Sequence, residues 1–409
     1  MLRHMQNSLV LILGLLTALG PLSIDMYLPA FQAMGQDLGV PMVMIQQTLS
    51  VYFLGMAFGQ LIYGPLSDRL GRKPPLFVGL TLYVISSLGC MLAPGIYSLV
   101  ALRLLQALGG CAGIVMARAV VRDYFPPREM ARMMSLLMLV MGLAPVFAPA
   151  AGGLLVKIMS VSLGWRAIFG VLTALGIAAL LMVLFLLPES LPPEKRLQKL
   201  SPGRVLTTYF HLLKDWRFLS PTLAGGLALG CLFTYISASS AIFVDFFKLS
   251  PVQYSVLFAF NAVGIIGGAQ VNRFLLKTRT PEAVMSRALT LSMIGGLIFW
   301  GLLVVIPAQL FLTAVCLWLV LAILGFVMPN SAAIALAEQK DNAGAASSMM
   351  GVLQYALGAL SSATVAWVLK AMNGEPLALV SVMITTLILA RLSYSKNRVS
   401  AAAPIAHTP

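Results

Sequence analysis

Charged side chains are scarce in this sequence, and their scarcity excludes most classes of soluble protein. Only 10% of the 409 residues are Asp, Glu, Lys or Arg, whereas a soluble domain carries roughly a quarter. In their place, 59% of the residues are hydrophobic and the mean hydropathy is +0.93. The apolar residues form recurrent stretches of about 20, the length that crosses the hydrocarbon core as an α-helix. The sequence therefore predicts a polytopic α-helical membrane protein.

Histidine and cysteine are also rare, which excludes several kinds of chemistry. The 3 histidines lie near the ends of the chain or in its central loop, so we expect neither a metal centre nor a histidine proton relay within the membrane. The 4 cysteines all fall in apolar stretches, where reduced thiols are expected rather than disulfides. No nucleotide-binding loop or nucleophile constellation supports an enzyme, and no soluble sensory domain supports a receptor. We therefore expect a non-enzymatic protein without cofactor or metal.

Twelve apolar stretches follow one another in two sets of six. They are predicted at 7–30, 43–65, 75–92, 97–121, 132–156, 165–187, 217–241, 252–275, 286–305, 309–336, 344–368 and 376–394. The first lacks a small-residue cleavage signature and is interpreted as a retained span. The charged, proline-rich segment "PESLPPEKRLQKLSPGR" at 188–204 separates the sets. We predict an all-α fold with one six-helix bundle over 1–188, a cytoplasmic linker over 189–216, and a second bundle over 217–409 that ends in a short cytoplasmic tail.

The basic residues predict the orientation of the chain. The net charge is +14, but Lys and Arg sit in short loops between spans, which argues for membrane topology rather than nucleic-acid binding. With both termini in the cytoplasm, only four basic residues face outward, namely Lys157, Arg166, Lys248 and Lys370. The positive-inside rule therefore places both termini in the cytoplasm.

The two sets of spans carry a weak internal repeat. Five positions of the second span match residues of the eighth span 205 positions later. The pairs are Ser50 and Ser255, Val51 and Val256, Phe53 and Phe258, Ala57 and Ala262, and Gly59 and Gly264. Such a repeat is typical of transporters in which two six-helix halves rock about a midplane cavity.

The loop after the second span carries the most specific motif. Residues 64–73 read G-x-L-x-D-R-x-G-R-K, in which glycines allow close approach and a left-handed turn and opposite charges can pair. This pattern resembles the loop motif of the major facilitator superfamily; the alternative is a positive-inside loop that happens to contain an acid. The resemblance implies that Asp68 lies near the start of span 11 and that Arg72 pairs with an acid at the end of span 4. The implied conformational latch comprises Gly64, Asp68, Arg69, Gly71, Arg72 and Asp123.

Spans 4 and 5 carry two further resemblances. Arg103 and Gln106 resemble the R-x-x-Q-G motif of the superfamily, with Ala107 in place of its glycine. An arginine within the membrane normally faces a polar cavity or a partner, although it could also extend to the headgroups. In span 5 the ending P-x-x-G-G resembles the motif associated with antiporters, and the alternative is generic small-residue packing. The residues of this antiporter helix are Pro145, Pro149, Gly152 and Gly153.

Asp25, in "LSIDMYLPA", is the only acid well inside a predicted span. Pro29 supplies no N–H to the carbonyl of Asp25, so the helix is locally open beside the carboxylate. Burial disfavours a charged carboxylate and a nearby cation favours it, so Asp25 modulated by Arg103 is expected to exchange a proton near neutral pH. The alternative is a structural aspartate that bonds helix ends.

The segments "PLSIDMYLPAF", "GQLIYGPLSDRLGRK" and "RMMSLLMLVMGLAPVFAP" narrow the resemblance to the Bcr/CflA group of bacterial drug:proton antiporters. The resemblance implies export of small amphiphilic drugs, similar to bicyclomycin or chloramphenicol, by a monomer whose partners are the drug, protons and the lipid bilayer. A metabolite, sugar or peptide exporter of the same fold is the alternative. Besides Asp25, the candidate cavity residues are Tyr27, Tyr52, Tyr235, Asn261, Asn330, Gln354 and Tyr355, for each of which packing is the competing interpretation.

Overall fold

The computed structural model describes residues 2–125, 127–196, 202–337, 339 and 343–395. The predicted C-terminal tail and part of the predicted linker, 197–201, lie outside the described residues. The α-helices are α1 Leu2–Asp25, α2 Phe31–Leu38, α3 Met42–Leu70, α4 Lys73–Met91, α5 Ile96–Tyr124, α6 Pro127–Ile158, α7 Val161–Leu186, α8 Pro202–Lys214, α9 Trp216–Ser240, α10 Pro251–Leu275, α11 Pro281–Val305, α12 Leu310–Leu336, α13 Ala343–Ala371 and α14 Pro376–Ser395. The described residues contain no β-strand.

Twelve segments of the described chain are long and apolar enough to cross a membrane, as predicted. The first combines α1 and α2, the next five are α3 to α7, and the last six are α9 to α14. The predicted all-α fold with twelve spans is therefore confirmed. We call the end of the bundle that carries Gly71 and Arg72 the inner end, after the predicted orientation, and the opposite end the outer end.

The first span is more interrupted than predicted. Helix α1 ends at Asp25, a short 3-10 turn follows at Leu28–Ala30, and α2 continues the span from Phe31. The predicted opening beside Asp25 is therefore a complete break in the helix, and the first span continues to Leu38 rather than ending at residue 30. Pro29 within the turn cannot donate a backbone hydrogen bond, and the break leaves Asp25 at a helix end rather than in a helix interior.

The linker contains an element that the sequence analysis missed. Residues 202–214 form helix α8, whose Tyr209 and Leu212 pack against Ala335, Ala346 and Met349 at the inner ends of α12 and α13. The predicted loop character of the linker is correct only for its first part, where a short 3-10 turn at Pro193–Lys195 is the one regular element among the described residues.

The two six-helix halves meet along α3 with α13 and along α6 with α10. The Ser50 and Ser362 hydroxyl oxygens lie 2.8 Å apart across the first contact. Across the second contact, the Ser255 hydroxyl donates to the Pro149 carbonyl at 2.8 Å. Ser50 and Ser255 are a matched pair of the internal repeat, and each bonds a helix of the opposite half.

A second matched pair of the internal repeat makes helix contacts within each half. Gly59 packs α3 against Cys111 of α5, and Gly264 packs α10 against Trp318 of α12. In both places a side chain would overlap the neighbour, and small residues are what allow helices to approach closely in a membrane. Equivalent positions of the repeat therefore make equivalent contacts, which supports a duplicated six-helix unit.

Candidate functional site

Asp25 lies at the helix break of the first span, buried between the two halves. Its side chain is 3% exposed, and its Oδ1 atom has no hydrogen-bond partner among the described residues. The break places it beside the second half, since the turn at Leu28–Ala30 contacts α9 and α10. A buried carboxylate without a partner is costly in its charged form, so this position favours a group that can take up a proton.

Two tyrosines of the second half lie near this carboxylate. Asp25 interacts electrostatically with Tyr235 of α9 and Tyr254 of α10. Tyr254 also pairs with Ser239, their hydroxyl oxygens 2.7 Å apart. Sequence analysis selected Tyr235 and missed Tyr254 and Ser239, although the run "YISASS" at 235–240 is unusually rich in hydroxyl groups for a spanning helix.

Several polar atoms in this region lack partners among the described residues. Besides Asp25 Oδ1, they are Ser237 Oγ, Ser240 Oγ and Asn261 Oδ1. All three residues are buried, and Ser240 is followed directly by a π-helix at Ala241–Phe246. Buried polar groups normally have partners, and π-helical turns occur often at functional sites. The region therefore offers unpaired polar atoms that water or a ligand can bind when the halves separate.

Arg103 occupies a separate buried site in the first half. Its guanidinium donates to Gln106 Oε1 at 2.6 Å and to the Ser23 carbonyl at 3.0 Å. It also stacks between the rings of Tyr27 and Tyr52, at 4.3 Å and 4.2 Å from their centroids. The side chain is 0% exposed, which excludes the alternative in which it extends to the headgroups.

The expected modulation of Asp25 by Arg103 has no direct contact behind it. No ion pair joins Arg103 and Asp25 among the described residues. The guanidinium instead contacts Gln106, the backbone carbonyl two residues before Asp25, and two aromatic rings. These cation–π contacts stabilise the charge without an acid. Arg103 therefore holds α1 just before its break, and Tyr27 and Tyr52 line this arginine site.

An outer cavity of about 490 Å³ opens between the halves. Its lining includes Gln46, Ala241, Asp245, Lys248 and Lys370. Gln46 is 1% exposed, and its Nε2 atom has no partner in the described chain. Ala241 lies next to Ser240, so the floor of this cavity adjoins the polar region around Asp25.

The remaining predicted cavity residues do not form one pocket. Asn261 donates to the Tyr235 hydroxyl at 2.9 Å, which places both beside Asp25. Asn330 instead donates to Asn272 Oδ1 at 2.7 Å near the inner ends of α12 and α10, so its place in the cavity wall stays a prediction. Gln354 and Tyr355 are half-buried on α13, where Tyr355 packs near Phe233 with ring centroids 5.9 Å apart.

The inner end carries the ion cluster implied by the loop motif. Arg72 Nε donates to Asp123 Oδ2 at 2.8 Å, and its Nη1 donates to Asp68 Oδ1 at 2.6 Å. Burial alone would lower the pKa of Arg72, but hydrogen bonds and charge from Asp123 and Asp68 outweigh it and raise that pKa. Arg69 is exposed. The cluster joins the ends of α3 and α5.

The cluster lies against the second half. A Cβ added to Gly64 would lie 2.5 Å from the Ser348 hydroxyl of α13. Asp68 is one turn further along α3, so the inner end of α3 packs beside the first turns of α13.

Glu189 completes this cluster, and sequence analysis missed it. Its carboxylate accepts the backbone N–H groups of Arg72 and Lys73 at 2.8 Å and 3.1 Å, which caps the start of α4. Gly71 has φ of 93°, and a Cβ there would lie 2.5 Å from Glu189 Oε2. The neighbouring Ser190 donates to Asp123 at 2.9 Å. The "PES" at the start of the linker therefore belongs to the latch cluster.

Helix α6 packs against the helix break of the first span. A Cβ on Gly152 would overlap the Met26 carbonyl oxygen, and one on Gly153 would lie 2.9 Å from the Ser255 hydroxyl. Pro145 and Pro149 both lie inside α6. These glycines let α6 approach the residue after Asp25 and the second half, so their packing is specific to the site.

Comparisons with known proteins agree with this architecture. The family model of the Major Facilitator Superfamily matches residues 13–365. The MFS-type transporter YdgK of Bacillus subtilis is 36% identical over 87% of both chains. The bicyclomycin resistance protein homolog of Haemophilus influenzae is 32% identical, covering 87% of this chain and 88% of its own. A chloramphenicol resistance protein of Pseudomonas aeruginosa is 31% identical, covering 80% of this chain and 73% of its own.

Solved structures share the fold at much lower identity. A bacterial homolog of the human lysosomal transporter Spinster superposes with a TM-score of 0.73 at 15% identity, covering 98% of this chain and 99% of its own. The D-xylose-proton symporter superposes with a TM-score of 0.72 at 14% identity, covering 95% and 96%. The family match and the relatives above 30% identity identify the chain as a multi-pass transporter of small molecules rather than an enzyme, and it belongs to the Major Facilitator Superfamily.

Proposed function

We propose that this chain is a proton-coupled multidrug efflux antiporter of the Bcr/CflA group, which exports small amphiphilic drugs across the bacterial inner membrane by alternating access. The observation that carries the proposal is Asp25: a buried carboxylate, without a partner for Oδ1 among the described residues, at a helix break between two halves that must separate during transport. The names of the relatives support drugs as the substrate class, since one is a bicyclomycin resistance protein homolog and another a chloramphenicol resistance protein.

In the proposed cycle, Asp25 releases its proton to the cytoplasm and a drug then binds between the halves. The halves rock outward, and a proton from the outer side neutralises Asp25 and displaces the drug. Each proton that enters the cell releases about 2.3 kcal/mol of free energy per 100 mV of membrane potential, which is available to drive export. Tyr235 and Tyr254 of the second half lie near Asp25, and Tyr254 pairs with Ser239. Separation of the halves therefore changes the surroundings of the carboxylate, and this change couples protonation to movement.

The inner-end cluster acts as the latch of this cycle. Arg72 joins Asp68 and Asp123 within the first half, beside the contact between Gly64 and Ser348. When the inner end opens, α3 and α13 must part at that contact. The ion cluster therefore favours the closed inner end, and its loosening accompanies drug entry.

Transport by inside-out vesicles tests the proton site. The variant Asp25→Asn should lose drug accumulation driven by a pH gradient and should bind the drug more weakly in detergent, because asparagine is neutral like the protonated aspartate and has no proton to exchange. Asp245→Asn is a matched control, since Asp245 is the half-buried acid of the outer cavity. Wild-type dependence of transport on the pH gradient in Asp25→Asn would contradict the proposal.

The latch is tested by comparing binding with transport. Asp68→Asn removes one partner of Arg72 without touching the region around Asp25, so equilibrium drug binding should persist while the transport rate falls. Arg69→Gln is the control at the neighbouring exposed position. Unchanged transport in Asp68→Asn would contradict the proposed role of the ion cluster as a latch.

Drug-susceptibility testing addresses the substrate class. Cells that express the wild-type chain should tolerate higher concentrations of bicyclomycin- or chloramphenicol-like drugs than cells that express Asp25→Asn. If the two kinds of cell were equally susceptible to every drug and vesicles showed proton-coupled efflux of a metabolite, the chain would be a metabolite exporter rather than a drug exporter.

A further inference from the structure

Helix α8 divides its surface into three parallel strips, of which only one faces the protein. Tyr209 and Leu212 are 6% and 3% exposed and pack on the inner ends of α12 and α13. Beside them, Leu206, Phe210 and Leu213 are 67%, 57% and 38% exposed. This second strip follows i, i+4, i+7 spacing, so its members lie on one face of the helix. α8 is not among the spanning helices. An exposed apolar strip of this kind usually marks a surface that binds another protein or a membrane.

The third strip of α8 is polar and basic. It contains three exposed residues with the same i, i+4, i+7 spacing, shifted by one residue along the chain: Thr207, His211 and Lys214. The Lys214 ammonium lies 4.2 Å from the centroid of the Phe210 ring, so the boundary between the apolar and the basic strip is a cation–π contact. The sequence of 202–214 contains no acidic residue. The exposed surface of α8 is therefore apolar on one side and polar on the other, with the cation of Lys214 at its end.

The position of α8 identifies what meets this surface. α8 ends at Lys214 and the spanning helix α9 begins at Trp216, with Asp215 alone between them. Asp215 caps α9 by accepting the Arg217 N–H at 3.0 Å. Because α9 enters the bilayer within two residues of α8, α8 lies at the level of the lipid headgroups. A helix with an apolar strip, a flanking basic strip and no acid is typical of helices that lie in the membrane interface.

We propose that α8 is an interfacial helix that inserts Leu206, Phe210 and Leu213 between the lipids of the inner leaflet and places Lys214 among anionic headgroups. The linker between the halves is thereby attached to the membrane surface. Tyr209, on the strip that faces the bundle, interacts electrostatically with Asp68, so the attached helix also borders the latch cluster. The proposal does not depend on proton coupling or on the transported substrate.

Spin-label accessibility in nanodiscs tests the proposal on the full chain. The four native cysteines are replaced by alanine, and single labels are placed at Leu206, Phe210, Thr207 or His211. In discs that contain phosphatidylglycerol, labels at 206 and 210 should be more accessible to oxygen than to a water-soluble nickel chelate. Labels at 207 and 211 are the matched controls on the polar strip and should show the reverse. Greater nickel accessibility at 206 and 210 would overturn the proposal, as would low accessibility to both reagents, which indicates a protein contact.

Hydrogen exchange on the wild-type chain provides a test that needs no cysteine replacement. Exchange over 202–214 should be slower in discs with phosphatidylglycerol than in discs with phosphatidylcholine alone. One basic residue near an anionic surface contributes about 1 kcal/mol, so Lys214→Gln should reduce the ratio of the two rates about fivefold. Equal exchange in both lipids for the wild-type chain would overturn the proposal.

Discussion

Asp123 and Asp25 are both acids held within the first half of the protein, one at its inner end and the other at a helix break between the halves. Asp123 accepts hydrogen bonds from the Arg72 guanidinium and the Ser190 hydroxyl, whereas Asp25 Oδ1 has no partner among the described residues. A paired buried carboxylate stabilises the arrangement that pairs it, and removing its partner is costly. An unpaired one destabilises the closed arrangement while it is charged. Asp123 therefore stabilises one conformation, whereas a change in the charge of Asp25 can shift the protein between conformations.

The largest effect on stability is expected from removing Arg72, the 3% exposed centre of the inner cluster. Arg72→Met leaves Asp123 without its cation and Asp68 without its partner, so the free energy of unfolding should fall by about 3 kcal/mol. Thermal unfolding in detergent measures the loss. Arg69→Met is the control, because that side chain is exposed, and it should change stability by less than about 0.5 kcal/mol. Equal stability of the two variants would mean that the cluster does not hold the inner end.

A second strong effect is expected at Gly152, which packs α6 against the residue after Asp25. A Cβ at this position overlaps the Met26 carbonyl oxygen, so Gly152→Ala should cost about 1–3 kcal/mol through overpacking. Gly142→Ala is matched on the same helix, where the added Cβ would lie 3.5 Å from Ile266 in ordinary contact. If both alanine variants unfold at the same temperature, the close approach of α6 to the helix break is not needed.

The loop motif and the span count could be predicted because both depend on local sequence. Asp68 and Arg72 are four residues apart at a helix end, and Asp123 is the only acid at the end of the span that follows the next short loop. The pairing of Arg72 with Asp123 was implied by the resemblance of this loop to the superfamily motif, so it required no knowledge of helix rotation. The twelve spans follow from apolar length alone.

The partners of Arg103 could not be predicted, because they depend on rotation of one helix against another. The sequence places Asp25 on the first span and Arg103 on the fourth without fixing how these helices are rotated, and the guanidinium reaches the Ser23 carbonyl and the ring of Tyr52. Glu189 was missed for a related reason: its partners are backbone N–H groups, which leave no trace in the side-chain pattern. α8 was missed because its 13 residues follow a proline-rich segment that suggested a loop.

A smaller effect of opposite sign is expected at the unpaired acid. Asp25→Asn removes a charge that the closed structure does not pair, so the free energy of unfolding at neutral pH should rise by about 1 kcal/mol. Asp123→Asn applies the same chemical change to a paired acid and should lower it. Thermal unfolding of both variants in one detergent compares them directly. A loss of stability in both would show that Asp25 has partners in solution.

The smallest effect is expected from Glu189 and is confined to acid pH. Burial tends to raise the pKa of this carboxyl, but the N–H groups of Leu191, Arg72 and Lys73 and the charge of Arg196 outweigh it and hold the pKa below its ordinary value of 4.5. A group whose pKa is lower in the folded state stabilises the fold above the unfolded pKa, and this contribution is lost as pH falls through the folded pKa. Glu189→Gln should therefore destabilise the protein at pH 7 and flatten the fall in melting temperature below about pH 4.5. The exposed Glu194→Gln is the control, and identical acid limbs for the two variants would contradict the role of Glu189 as the cap of α4.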